Sequence, residues 1–443
     1  MLWEGEDLPL AAAMQMKHGA VLYRDIWFDK PPLVPAFYLL WGAGIGPALR
    51  IAGALYALCA CVLAYLLAAS AWTRREGYFA AALLAFFLTF DTHSSVVPVA
   101  ADLMLLVPHL AAVLLALRKQ PFWSGVAAGV GFLINTKSVF VLAACLVFAW
   151  PALIPLASGF LVPLALAATW LGATGAFPAY LDQVWRWSSA YAASPFVSNP
   201  VWNGLIRTAN WLGFHAALLI GAALLWTRRE GRKYLLWALI CYPGVVLGWR
   251  FFPRYFFLIL PALTIAAARG LAVLRGRVAT AFVLITLAVP LIRFGPRYAE
   301  LALGHYTPDI AMDLDSRAAS RLALSAAGPQ GRNATLYVWG YRPDIFVYTG
   351  MRPATRFLDS QALTGVPADR HLTQSDPVTT VGTRDARVAL AASSPAILID
   401  GLSLYNPSLS MDHYPELRPW LAHYREAGRT NGTIVYVRVP DNK

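Results

Sequence analysis

A polytopic bundle of membrane-spanning helices, mainly α, with a soluble α/β or α+β domain at its carboxyl end is the architecture that three observations predict. The 443 residues are 58% hydrophobic and only 14% charged, with a mean hydropathy of +0.53, so lipid is the main solvent of this chain. Apolar runs follow one another from residue 34 to residue 293. Beyond Arg293 the chain becomes more charged, richer in turn residues and alternating in its apolar pattern, which reads as a water-facing domain.

The apolar runs fall at roughly 34–45, 47–71, 77–90, 100–117, 122–136, 138–157, 159–174, 201–226, 233–249, 255–269 and 278–293. Several are shorter than the about 20 residues a straight crossing needs, and about ten spans are expected, with short runs borrowing flanking residues or lying in the interface. Gly42, Gly44, Gly46 and Pro47 interrupt the first run, which therefore reads as a half-embedded helix.

If the runs from 47 onward alternate, Arg74 and Arg75, Arg118 and Lys119, Arg228, Arg229, Arg232 and Lys233, and Arg269, Arg275 and Arg277 share one side. The positive-inside rule makes that side cytoplasmic. Residues 1–33, the 91–99 loop, the 175–200 loop, the 250–254 turn and the carboxyl-terminal region are then outside. The connection near Ser158 and Gly159 carries no positive charge and is the weakest joint of this alternation. The domains expected are an outer loop over 1–33, a membrane domain over 34–293 and a soluble domain over 294–443. In the last, 336–339, 396–399 and 434–437 read as strands and 315–326 and 415–427 as helices, and no glycine-rich phosphate fingerprint follows any strand.

The net charge of +12 is spread in short clusters between apolar runs, which suits membrane orientation and not nucleic-acid binding. Cys59, Cys61, Cys145 and Cys241 sit in apolar runs as packing residues. His93, His109 and His215 have no partner at metal-ligand spacing, so no metal and no cofactor are expected.

Chemistry concentrates between Trp3 and Pro32. Glu4, Glu6 and Asp7 stand at one end of this segment and Asp25, Asp29 and Lys30 at the other, with a mostly apolar helical stretch over 8–17 between them. The acids suit a helix start, where the dipole favours negative charge. Held partly desolvated at a membrane boundary, one of them also suits a general base acting on a hydroxyl. Pro31 and Pro32 stiffen the entry to the first run and leave Lys30 at headgroup level, either as a snorkelling side chain or as a ligand for a lipid-linked phosphate. An acidic pair before an amphipathic helix, then Gly19, Leu22-Tyr23-Arg24-Asp25 and Asp29-Lys30-Pro31-Pro32-Leu33, resembles the first outer loop of GT-C integral-membrane glycosyltransferases. Within these it is similar to the protein mannosyltransferase and aminoarabinose-transferase-like group, which uses polyprenyl-phosphate sugars.

The resemblance extends over about the first 300 residues, with Ala100-Ala101-Asp102-Leu103, Gly131-Phe132-Leu133-Ile134-Asn135-Thr136-Lys137 and Arg250-Phe251-Phe252-Pro253-Arg254-Tyr255 as further matches. Relatives commonly carry an Asp-Glu pair in the first loop. Here the order is Glu4-Gly5-Glu6-Asp7, so the matching carboxylate is Glu6 first and Asp7 second. The short loop between Gly19 and Asp29 gives less reason to assign aminoarabinose itself.

The resemblance implies transfer of a sugar, hexosyl or pentosyl, from a polyprenyl-phosphate donor to a hydroxyl of a glycan, lipid or protein acceptor, on the outer side of a bacterial cytoplasmic membrane. Glu6 or Asp7 would be the catalytic base. Lys30, Arg254, Lys137, Arg250, Asp29, Asp102 and Tyr255 would bind or frame the donor phosphate, and direct displacement would invert the anomeric centre. An outer loop has to be delivered across the membrane, yet the chain opens straight into it at Met1, so a further apolar helix upstream is expected. A transporter or flippase of a lipid-linked substrate is the rival, although the chain shows no clear internal repeat or paired helix interruption.

Overall fold

The computed structural model describes residues 1–3, 5–91, 97–193, 197–226, 228–274, 276–304, 308–372 and 381–439. Glu4, His93 and Arg275 lie outside them. The amino-terminal segment forms α1 (Asp7–Lys17) and α2 (Leu33–Tyr38). The 34–45 run thus folds as α2 and a 3-10 turn, Leu39–Trp41, stopped by Gly42 at φ +70°, a backbone angle that suits glycine.

The bundle follows as α3 (Pro47–Ala71), α4 (Arg74–Phe90), α5 (Ala101–Leu117), α6 (Pro121–Phe132), α7 (Ser138–Ala149) and α8 (Leu153–Ala173). Two short helices, α9 (Phe177–Tyr180) and α10 (Trp187–Ala193), lead to α11 (Pro200–Phe214), α12 (Ala216–Trp226), α13 (Arg232–Val246), α14 (Leu260–Ala272) and α15 (Arg277–Phe294). Among the described residues, three helical stretches are long and apolar enough to cross a membrane: Pro47–Ala71, Leu153–Ala173 and Arg277–Ala302. The shorter apolar helices are packed by neighbours; α14 is buried over nearly its whole surface, so protein rather than lipid surrounds it.

Two apolar runs fold otherwise than expected. The turn between α7 and α8 is at 150–152, and α8 continues through Ser158 and Gly159. Gly159 is small because α6 crosses α8 there: a Cβ on it would stand 1.9 Å from the Phe122 carbonyl oxygen, a close approach of the kind small residues permit between membrane helices. The 201–226 run is two helices, α11 and α12, bent by 89°. The bend lies at His215, whose Nδ1 is 2.8 Å from the Trp211 carbonyl and whose Nε2 is 3.2 Å from Asp91 Oδ1.

The basic clusters gather at one end of the bundle. Arg269 pairs with Glu76 at 2.6 Å and Glu230 at 3.4 Å, Arg118 donates to Ser70 Oγ, and Lys119 donates to the Phe148 carbonyl at 2.9 Å. Lys233 lies 5.5 Å from the centre of the Phe148 ring. The amino-terminal segment and the lobe after α15 are at the other end.

That lobe contains α16 (Pro296–Ala302), α17 (Pro308–Ala326), β1 (Thr335–Trp339), α18 (Asp344–Thr349), β2 (Arg352–Pro353), α19 (Gln361–Thr364), α20 (Val381–Ala391), β3 (Ile397–Asp400), α21 (Arg418–Leu421), β4 (Tyr424–Arg429) and β5 (Ile434–Arg438). The sheet order is β2-β1-β3-β5-β4, with β1 parallel to β2 and β3, and β5 antiparallel to β3 and β4. The expected 415–427 helix is instead the four-residue α21 followed by β4. The hairpin closes at Asn431-Gly432, where Thr430 N–H donates to the Thr433 carbonyl at 2.9 Å. Leu8, Leu10 and Phe28 share a core with Leu336, Val338 and Phe346, so the amino-terminal segment is wedged between bundle and lobe.

Candidate active site

Glu6 is fully buried. Its Oε1 accepts from Val99 N–H at 2.6 Å, its Oε2 from Trp3 N–H at 2.9 Å, and Arg50 of α3 closes an ion pair on the same oxygen. Burial raises the carboxyl above its ordinary value, against the downward pull of Arg50 and the two amides. The side chain thus ties the 1–6 loop to α3 and to the strand of chain before α5. Asp7, the first residue of α1, is only partly buried, and its charge reaches Lys30.

Backbone geometry brings the third piece in. Gly5 has φ +90°, and a Cβ on it would stand 2.7 Å from Arg254 Nη1 and 3.1 Å from the Ala100 Cβ. The guanidinium of Arg254 therefore lies against the loop that carries Glu6 and Asp7. Two residues after Ala100, Asp102 in the first turn of α5 accepts from Asn135 Nδ2 at 3.3 Å.

Asn135 also fixes Lys137, since its Oδ1 accepts from the Lys137 N–H at 3.1 Å. The Lys137 ammonium is buried and has no hydrogen-bond partner among the described residues, 3.3 Å from the centre of the Tyr255 ring, a cation–π contact. Burial brings it down to about 8, against an upward pull from Asp102.

Lys30 pairs with Asp29 at 3.0 Å. Burial lowers this ammonium, but Asp29, Asp7 and Asp359 outweigh it and leave it above its ordinary value. The loop around it is clamped from both sides. Phe28 N–H donates to Gln183 Oε1 at 2.8 Å, Trp27 N–H donates to the Arg356 carbonyl at 2.7 Å, and the 133 carbonyl accepts from Leu33 N–H at 3.0 Å.

The structure thus assembles Glu6, Asp7, Asp29, Lys30, Asp102, Lys137, Arg254 and Tyr255 at the end of the bundle away from the basic clusters. Arg250 is on the same end but committed elsewhere: it is buried, pairs with Asp369 of the lobe at 3.0 Å, donates to the Gly248 and Tyr191 carbonyls, and lies 4.1 Å from the centre of the Tyr191 ring.

Sequence reasoning missed Arg50, Asp359 and Asp369. Arg50 had a signal, being a positive residue near the end of an apolar run away from the basic clusters, as Arg254 is. Asp359 accepts from the backbone and side chain of Gln361, and burial, opposed by those bonds and raised further by Asp29, holds it near 7. Nothing in its local sequence marks it.

The histidines are structural in setting. His109 accepts from Trp237 Nε1 at 2.9 Å and His215 stacks on Trp211. Among the described residues no group of three or more His, Cys, Asp or Glu side chains is placed to hold a metal ion.

No protein-family model and no curated protein matches the sequence. Solved structures do. ArnT from Cupriavidus metallidurans in the apo state is similar with a TM-score of 0.63 and 16% identity, over 99% of this chain and 94% of that one. The same protein bound to undecaprenyl phosphate is similar with a TM-score of 0.61, again at 16% identity and over the same shares. The chain therefore has a GT-C fold.

Proposed function

We propose that the protein is a membrane glycosyltransferase that moves a sugar from a polyprenyl-phosphate donor to an acceptor hydroxyl on the extracytoplasmic side, with 1–33 and 294–443 outside and 34–293 as the membrane domain. The observation that carries this reading is the gathering of cations beside the carboxylate-bearing loop at the end of the bundle opposite the basic clusters: Arg254 lies against Gly5, Lys137 lies over the ring of the adjacent Tyr255, and Lys30 feels the charge of Asp7. The positive-inside rule assigns that end to the outer face, where its cations need a reason other than topology. A lipid phosphate supplies one, and the crystal structure of ArnT with undecaprenyl phosphate supports the donor class.

Asp7 is the base in this proposal. Glu6 has no exposed surface, whereas Asp7, one residue on, is partly exposed. The acceptor O–H proton passes to the Asp7 carboxylate as the acceptor oxygen bonds to the anomeric carbon. The bond from that carbon to the phosphate oxygen breaks, and its electron pair leaves with polyprenyl phosphate. Lys30, Lys137 and Arg254 meet the charge where it develops. Asp29 orients Lys30, while Asp102 and Tyr255 frame Lys137. Arg250 holds the 250–255 turn to the lobe. A direct displacement inverts the anomeric centre.

A bacterial cytoplasmic membrane suits this chemistry, and the sugar is a hexose or pentose. The test is purified protein with a panel of polyprenyl-phosphate sugars, reading release of polyprenyl phosphate. Release with at least one donor, lost in Asp7→Asn, is expected. Release with none overturns the transferase reading and favours a transporter of lipid-linked substrate.

A further inference from the structure

The turn that presents Arg254 and Tyr255 has a second use on its other side. Phe251, Pro253 and Phe256 form one wall of a separate groove of about 450 Å3, completed by α11 and α15. Its polar groups are Arg207 and Asn210 from α11, Arg293 from α15, and Asp91.

The charge in this groove is positive and uncommitted. Neither Arg207 nor Arg293 makes a hydrogen bond or ion pair among the described residues, and Arg293 only lies 5.5 Å from the centre of the Phe294 ring. Both are exposed. The one carboxylate, Asp91, is buried with Oδ1 3.2 Å from His215 Nε2, so it faces the imidazole. Arg293 ends α15, whose other end, Arg277, is in the sequence cluster assigned to the cytoplasm, so both arginines stand against the positive-inside trend.

The surroundings are apolar and open. Leu205 and Ile206 on α11, and Leu284, Ile285 and Ile292 on α15, are exposed. In the most apolar 18 residues of the α15 stretch only 17% are buried by protein. Exposed apolar residues at this density on a membrane protein face acyl chains. Guanidinium forks match phosphate oxygens, and the chain-lined rim asks for a ligand with an apolar tail.

We propose that this groove binds an anionic membrane phospholipid, its headgroup held between Arg207 and Arg293 and its chain laid along the exposed face of α15. The site is distinct from the Lys30, Lys137 and Arg254 cluster and does not rest on the transferase reading. Its occupant contacts the 251–256 turn from behind, so it steadies the backbone that carries Arg254.

Native mass spectrometry of the detergent-purified protein, titrated with phosphatidylglycerol or phosphatidylcholine, tests it. Saturable retention of phosphatidylglycerol over phosphatidylcholine is expected, reduced at least tenfold in the Arg207→Ala/Arg293→Ala double variant and unchanged in Lys30→Ala. If the double variant does not purify as a folded protein, Arg293→Glu alone gives the same readout. Equal retention of the two lipids, or undiminished phosphatidylglycerol retention in the arginine variants, overturns the proposal. Inorganic phosphate at millimolar concentration is expected to leave the retained lipid in place; full displacement by phosphate alone means a site for free phosphate and overturns the lipid assignment.

Discussion

Exchanging the two neighbouring carboxylates one at a time separates support from chemistry. Glu6→Gln keeps the shape but removes the charge that Arg50 faces, and an amide nitrogen must then meet either the Trp3 or the Val99 N–H, both donors. Breaking a buried pair while leaving the other charge in place costs about 3–5 kcal/mol; Arg50 is about one-third exposed, so the lower end is expected. Apparent unfolding temperature in detergent should fall by several degrees, with activity per folded molecule falling less than the folded fraction. Asp7→Asn should do the reverse. It keeps the side-chain shape at a partly buried position, so it lowers the unfolding temperature less than Glu6→Gln does, and it slows transfer by about 10²–10⁴-fold, the worth of a positioned general base. That is roughly 3–5 kcal/mol of barrier. Donor KM should not rise, because a negative charge near Lys30 has been removed. The assay pairs thermal unfolding with polyprenyl-phosphate release under saturating donor. A Glu6→Gln protein of normal stability and no turnover, beside an Asp7→Asn protein of normal turnover, would refute the assignment.

On the proposed function, Lys137 should make donor binding pH-dependent. The ammonium is held near 8, a phosphate favours its protonated form, and the donor KM should therefore be flat well below pH 8 and rise about tenfold per unit above it; Lys137→Met should raise KM and abolish that slope. Gly5→Ala places a Cβ 2.7 Å from Arg254 Nη1 at φ +90°, so kcat/KM should fall at least tenfold, a loss measurable in the same release assay. In a double-mutant cycle, Arg250→Ala and Asp369→Ala should be non-additive in unfolding temperature, because each breaks the same 3.0 Å pair; full additivity would mean the pair does not couple turn and lobe. Single cysteines at Arg75 and Arg207 should be labelled by an impermeant maleimide from opposite faces of the membrane.

The grouping of charged residues at the two ends of the bundle was legible in the sequence, because it depends on residue type. Charged side chains cannot sit in lipid unaided, so acids and bases at run ends mark the ends of the bundle, and that alone groups Lys30, Asp102, Lys137 and Arg254. Three of the five strands were legible too, from short β-branched runs. What hydropathy does not encode is direction. Ser158-Gly159 looks like a break because small and polar residues often are one; in the structure they let α6 and α8 touch. The 201–226 run stays apolar through His215 although the helix turns by 89° there, because the partner that receives the imidazole, Asp91, is more than a hundred residues away. For 415–427, local helix propensity lost to the Asn431-Gly432 turn, which returns β5 against β4.

The order of preference between Glu6 and Asp7 shows the same limit at the scale of one side chain. In sequence the two are adjacent acids before a helix, and the better family match decides for Glu6. The proposal takes Asp7 because Glu6 is fully buried while Asp7, one residue on at the start of α1, is partly exposed. Glu6 turns back to the loop, where the amides of Trp3 and Val99 and the guanidinium of Arg50 use all its lone-pair directions within reach. A carboxylate so engaged is stabilised in its charged form by the same contacts that would have to break for it to accept a proton, and burial raising its pKa does not make it accessible to a substrate hydroxyl. Asp7 begins α1, and the neighbouring Glu6 fixes the loop that carries it. On the proposed reading the two acids divide the work, Glu6 holding the loop to α3 and to the chain before α5 and Asp7 taking the acceptor proton.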